Sequence, residues 1–140
     1  MDKDKAVKLA YLKIVVSLCG SKDAIRAAEF LYEKEEFAYQ DIQRHLGIAT
    51  ESLNKMLINF MKVLVIEPAD LKYTSLQESG SYYRKVLDAD YKTPAHDWYR
   101  TTVFFENVVK KEFPSIGDLE NVYKNAVSLG DAKKSESSTS

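Results

Sequence analysis

Apolar residues recur along most of this chain at helical spacing, with one central interval where the period changes. From Ala6 to Cys19 the chain reads AVKLAYLKIVVSLC, apolar on nearly every side, with Lys8, Lys13 and Ser17 as exceptions. A helix apolar almost all round must be covered on more than one side. The second cover is either another subunit or the rest of the same chain. Gly20-Ser21 interrupts the pattern, and Ser21 is placed to cap the next helix. That helix is predicted over Asp23–Glu36, with Ile25, Ala28, Phe30, Leu31 and Tyr32 on its core side and a charged, solvated end.

The central interval begins with two short amphipathic patterns. Tyr39, Ile42 and Leu46 share one helical face, with Gln40, Asp41, Gln43 and Arg44 between them. Gly47 follows at once and can close a helix in the left-handed conformation. After Ile48 and Ala49, with Thr50 as a candidate cap, a second helix is predicted. Leu53, Met56, Leu57 and Phe60 form its stripe, and Glu51, Ser52, Asn54, Lys55 and Asn59 its polar side. Val63 to Ile66 is a branched apolar run that suits a buried strand. Glu67-Pro68-Ala69-Asp70 reads as a turn. Leu71–Leu76 reads as a second strand, and Gln77-Glu78-Ser79-Gly80 opens a helix holding Tyr82, Tyr83, Val86 and Leu87.

The runs DIQRHLGIATESLNKMLINFMKVLVIEP and KYTSLQESGSYYRKVL resemble the winged helix-turn-helix regulators of the MarR, ArsR and PadR type, and small archaeal Lrs-like regulators are similar in size. The resemblance covers roughly Ala24 to Leu87. It implies helix, leucine-glycine turn, recognition helix and wing, and with them a DNA-binding regulator. The chain departs from the pattern in three places. Ala49 stands where many relatives have a capping serine, Leu64 where they often have glycine, and the wing tip Pro68-Ala69-Asp70 carries no base.

Beyond Leu87, residues 88–92 read as a linker. Thr93-Pro94 then opens a helix predicted from Ala95 to Glu112, carrying Trp98, Phe104, Phe105, Val108 and Val109, and ended by Pro114. Ser115, with Asp118 three residues on, starts another helix, with Ile116, Leu119, Val122, Tyr123 and Ala126 as its stripe and Gly130 as its end. The two C-terminal helices are expected to complete the core or a dimer; a ligand pocket lined by Trp98, Tyr99 and Phe105 is the sharper alternative. Asp131–Ser140 is polar and serine-rich, as in disordered tails.

The expected fold class is therefore mainly α, an α+β arrangement with a small wing. It divides into an N-terminal dimerisation helix (1–20), a winged helix-turn-helix (21–87), a helical extension (93–130) and a tail (131–140). Composition adds little to fold and something to partners. The net charge is −1 across 140 residues, so any nucleic-acid surface must come from local clustering. The single cysteine, Cys19, excludes an internal disulfide and fits a reducing, cytoplasmic setting. No run is long and apolar enough to serve as a membrane span, so no membrane partner is expected.

No catalytic motif is legible, so no enzyme and no cofactor is expected. Cys19, His45, His96 and Asp97 lack metal-ligand spacing. His45 is expected to pack or to meet a phosphate, and Cys19 to be a buried apolar residue. The polar face of the second short helix then carries the function. Asn54 and Asn59 can pair with adenine, Lys55 can reach guanine or a phosphate, and Thr50 and Ser52 can bond either. Gln40, Gln43 and Arg44 from the preceding helix, with Lys62 and Lys72 near the wing, would touch the backbone. The candidate homodimer contacts are Leu9, Leu12, Val16, Phe105 and Val108. Double-stranded DNA and a second copy are the expected partners, and an effector is not legible. The rival expectation is a winged helix serving as a protein-interaction module, held through exposed aromatics of the C-terminal half.

Overall fold

The computed structural model describes residues 3–73, 76–88, 91 and 97–138, with side chains for all of these except 3–10, 72–73, 76, 78–79 and 128–138. The described chain is mainly helical, with a small antiparallel sheet. In order come α1 (Lys3–Cys19), α2 (Lys22–Glu33), β1 (Glu36–Ala38), α3 (Tyr39–Leu46), α4 (Thr50–Lys62) and β2 (Ile66–Pro68). A 3₁₀ turn (Ala69–Tyr73), α5 (Leu76–Leu87) and β3 (Trp98–Thr101) follow. A helical segment over residues 103–112 is π-wound across Phe105–Val109 and α-helical at Lys110–Glu112 (α6). It precedes α7 (Ile116–Ser138).

Local capping chemistry sets several of these ends. The Ser21 hydroxyl accepts from the amide of Ala24 at 3.0 Å, starting α2 as its position predicts. Gly47 ends α3 at φ 63°, and its amide donates to the Gln43 carbonyl. Ser115 and Asp118 cap α7 reciprocally: the Asp118 amide donates to the Ser115 hydroxyl, and the Ser115 amide to the Asp118 carboxylate. Thr50 does not cap α4. Ala49 holds the cap position without a side-chain bond, and the Thr50 hydroxyl instead accepts from Gln43 Nε2 at 3.2 Å.

The end of α4 corrects the expected strand at Val63–Ile66. Val63 and Leu64 close the helix: the Leu64 amide donates to Met61 and the Val65 amide to Phe60, the paired bonds of a Schellman motif. Leu64 takes the left-handed conformation, at φ 64°. This is the position where the resembled family often has glycine. The strand begins only at Ile66 and includes Glu67 and Pro68, which were expected in a turn.

Of the expected wing strand at Leu71–Leu76, the described residues are not extended: Leu71–Tyr73 end the 3₁₀ turn and Leu76 begins α5, and Thr74 and Ser75 lie outside the described residues. The partner of β2 is β3, from within the predicted helix Ala95–Glu112. Strand order is β1-β3-β2, with Phe37 and Pro68 flanking Tyr99, and Glu36 and Glu67 flanking Arg100. Pro68, lacking an amide donor, sits on an edge strand, where its loss is tolerated. The segment assigned to a C-terminal extension thus supplies the central strand. The cap proposed at Thr93-Pro94 lies outside the described residues, and Thr102 caps the following helix by accepting from the Phe105 amide at 3.0 Å.

The core gathers Leu18, Leu31, Phe37, Ile42, Leu53, Leu57, Phe60, Tyr99, Phe105 and Leu119, all fully buried. Helices α2, α4 and α7 cover α1 within the chain, and Ile14, Val15, Leu18 and Cys19 are buried against them. Within the described part of α1, the apolar side chains Ile14, Val15, Leu18 and Cys19 are thus met by their own chain, and the side chain of Leu9, a candidate dimer contact, lies outside the described residues. Leu12 and Val16 stay exposed. Phe105, expected at a dimer surface, is fully buried, with its ring edge-on to Tyr32 at 5.7 Å, and has no face for a second copy. A pocket between Trp98, Tyr99 and Phe105 is likewise absent: Tyr99 and Phe105 are core residues and Trp98 faces solvent. The backbone of α7 continues past Gly130 to Ser138, where an end at Gly130 and a disordered tail were expected.

Candidate nucleic-acid interface

The outer face of α4 follows from its inner one. Leu53, Leu57, Ile58, Phe60 and Met61 are buried, which turns Glu51, Ser52, Lys55 and Asn59 to solvent. Thr50, at the first turn, is also exposed. Two concavities flank this face. One, of about 820 Å³, is lined by Thr50, Asn54, Lys55, Asn59, Lys62 and, across from them, Tyr91. The other, of about 440 Å³, lies between Ser52, Lys55 and Asn59 and the α1–α2 junction at Val16, Ser17 and Gly20. Of the residues predicted from sequence, Thr50, Asn54, Lys55, Asn59 and Lys62 line the first concavity, and Ser52 shares the second with Lys55 and Asn59.

The preceding helix joins this face at two points. Gln43 is tied to Thr50, as above. Tyr39, the first residue of α3, donates its hydroxyl to Asn54 Oδ1 at 2.8 Å. Burial raises the Tyr39 pKa, which keeps that hydroxyl a donor. Asn54 is consequently half-buried and half-engaged, unlike the free base reader expected of it. Gln40 and Arg44 are exposed on α3. Lys72 lies in the 3₁₀ turn, and its side chain is outside the described residues.

Sequence reasoning missed three residues that shape the face. Arg26 of α2 donates to the carbonyls of His45 (2.7 Å) and Leu46 (3.0 Å), holding the C-terminal end of α3. Only its position beside the core stripe of α2 hinted at this. Tyr39 was legible as an apolar stripe residue, but the reach of its hydroxyl was not. Tyr91 carried no signal within a presumed linker. His45 packs its ring on Phe30 at 5.3 Å, one of the two roles expected of it.

The electrostatics of the face are mixed. Arg44, Lys55 and Lys62 stand against Asp41 and Glu51 on α3 and α4. Among the described residues no cluster of three or more His, Cys, Asp or Glu side chains has metal-binding geometry. His96 lies outside them. Cys19 is buried, and burial together with Glu120 pushes its thiol up to about 11. Among the described residues no helix is long and apolar enough to cross a membrane.

No protein-family model matches the chain, and no curated protein or solved structure matches it either.

Proposed function

We propose that the chain is a sequence-specific double-stranded DNA-binding protein that acts as a homodimeric transcriptional regulator, with α4 as the helix that enters the major groove. The observation that carries this reading is the outward face of α4, where Thr50, Ser52, Lys55 and Asn59 converge on solvent behind a helix that ends in a tight glycine turn. The element order α2-β1-α3-α4-β2-β3, with β3 between its two partners, supports a winged helix-turn-helix in which the wing is enlarged. The chain between β2 and β3 includes the 3₁₀ turn and α5, where a short hairpin would close. An α-helix fits the major groove, and donors and acceptors near its N-terminus reach base edges. Gln40 and Arg44, exposed on α3, are the proposed phosphate contacts. The exposed Leu12, Val16 and Val108 are the remaining candidates for contact between copies.

Selection of bound sequences from a random duplex library tests this directly. A palindrome with half-sites about one helical turn apart is expected of a dimeric reader. Recovery of unenriched sequence counts against it.

A second reading is favoured by Trp98, which lies 54% exposed on β3. An exposed tryptophan beside the start of α3 suits a protein partner, as interface cores are rich in aromatics. Under that reading α4 reads no bases, and Trp98→Ala abolishes partner capture while the chain has no affinity for duplex DNA.

A further inference from the structure

A groove of about 540 Å³ lies between the C-terminal end of α4, α5 and the start of the 103–112 helix. Its walls are largely aliphatic. Three of them face solvent: Leu64 is 43% exposed, Val103 66% and Leu87 67%. Single exposed aliphatics are ordinary, but here three converge on one concavity, where an apolar chain would bury them together. Leu64 adds an independent sign. It holds a left-handed backbone conformation that glycine would take without strain, and its side chain gains little from folding because it lines the open groove. The Schellman end of α4 calls for this conformation, and a leucine kept there in place of glycine puts an apolar side chain on the groove at a cost in strain.

The polar groups on the floor are already satisfied. Glu67 accepts from Arg100 Nε and from the Tyr83 hydroxyl, each at 3.2 Å, so Arg100 offsets its charge. The Thr102 hydroxyl donates to the Leu64 carbonyl at 2.5 Å and accepts from the Phe105 amide. The charge left over is Lys62, half-buried at the rim, with no carboxylate partner among the described residues. An apolar trough with one unpaired cation at its edge has the charge pattern of a site for an amphiphilic anion.

We propose that this groove binds an aliphatic monocarboxylate, its chain lying along Leu64, Leu87 and Val103 and its carboxylate on Lys62 Nζ. The volume is within the range of small-molecule sites, and a chain of about ten carbons is the length to try first. Lys62 also lines the concavity on the α4 face. If the DNA reading holds, carboxylate and phosphate compete for one ammonium. Binding of the carboxylate does not depend on that reading and is measured without DNA, so the two stand or fall separately.

The test uses the full chain with N-phenyl-1-naphthylamine as a fluorescent reporter, displaced by decanoate, decanol or decylammonium. Decanoate is expected to displace it best, and octanoate about tenfold less well because two methylenes leave the groove. Lys62→Gln is expected to weaken decanoate about fivefold, the upper range for a solvent-accessible ion pair, and to leave decanol unchanged. Val103→Asp, at an exposed position, is expected to abolish displacement by either; Leu87→Asp is the second variant should that protein not fold. Leu64→Gly separates function from packing, since the melting temperature rises while decanoate affinity falls. The proposal is overturned if decanoate and decanol displace alike and Lys62→Gln changes neither, or if the reporter does not bind. Reporter binding that vanishes as protein concentration rises, through a second copy covering the groove, overturns it too.

Discussion

The Tyr39 hydroxyl donates a 2.8 Å hydrogen bond to Oδ1 of Asn54, joining the first residue of α3 to the middle of α4. This bond ties the two helices together and removes part of the capacity of Asn54 to read a base. An asparagine pairs with adenine through its oxygen and its amide together. With the oxygen partly taken, the exposed Lys55 and Asn59 carry more of the proposed recognition than Asn54. Tyr39→Phe is expected to lower unfolding free energy by about 1 kcal/mol, the net value of one such bond, measured by urea denaturation. Under the DNA reading, Asn59→Ala weakens binding to a selected duplex more than Asn54→Ala does. The reverse order would return Asn54 to the centre of the face.

Leu64 closes α4 at φ 64°, with the Schellman bonds around it formed. A left-handed conformation costs a residue with a Cβ roughly 1–2 kcal/mol. Glycine relieves this but frees the unfolded chain and gives up some apolar contact. Leu64→Gly is therefore expected to stabilise by about 0.5–1 kcal/mol, seen as a higher denaturation midpoint with an unchanged slope. A destabilised variant would mean that the leucine side chain packs more tightly than its exposure implies.

Two tyrosines set an alkaline limit. Burial, with Glu67 second, pushes the Tyr83 hydroxyl up to about 12. Burial, with Asp118 and others behind it, does the same for Tyr32, which donates to the Phe113 carbonyl at 2.8 Å. A pKa raised above its unfolded value near 10 gives stability that is fully present below pH 10 and lost as pH rises through 12. Absorbance at 295 nm is expected to show late-ionising tyrosines, and stability to fall between pH 10 and 12. Tyr83→Phe should flatten that fall. Tyrosines that all ionise near pH 10 in the folded protein would contradict the burial described for these two.

Cys19 lies in the core beneath α2 and α7, its thiol raised to about 11. At pH 8 it is expected to ignore a disulfide reagent in the folded protein and to react once with it in urea. Fast reaction in the folded state would mean that α1 opens readily.

What was legible in the sequence was local chemistry. Ser21, Gly47 and the Ser115–Asp118 pair set helix ends through bonds spanning three or four residues, so position alone predicted them. The polar face of α4 was legible because a helix repeats its burial every three to four residues. What escaped was pairing at a distance. Trp98–Thr101 alternates exposed and buried positions, but four residues cannot declare a strand unless the edges of β1 and β2 are known to wait for it. Glu67 resembled a turn residue because its partners, Arg100 and Tyr83, are remote in sequence. Leu64 departs from a glycine pattern in the sequence, yet only the backbone shows that the glycine-favouring conformation is kept.

The measurement closest to the central claim is the affinity of the full chain for a selected duplex, against salt, for the wild type and for Lys55→Ala. The account predicts a steep linear fall of log affinity with log salt, about 0.9 per phosphate contact, and a shallower slope for the variant. Superimposable curves, or an affinity that ignores salt, would contradict an α4 face that reads DNA.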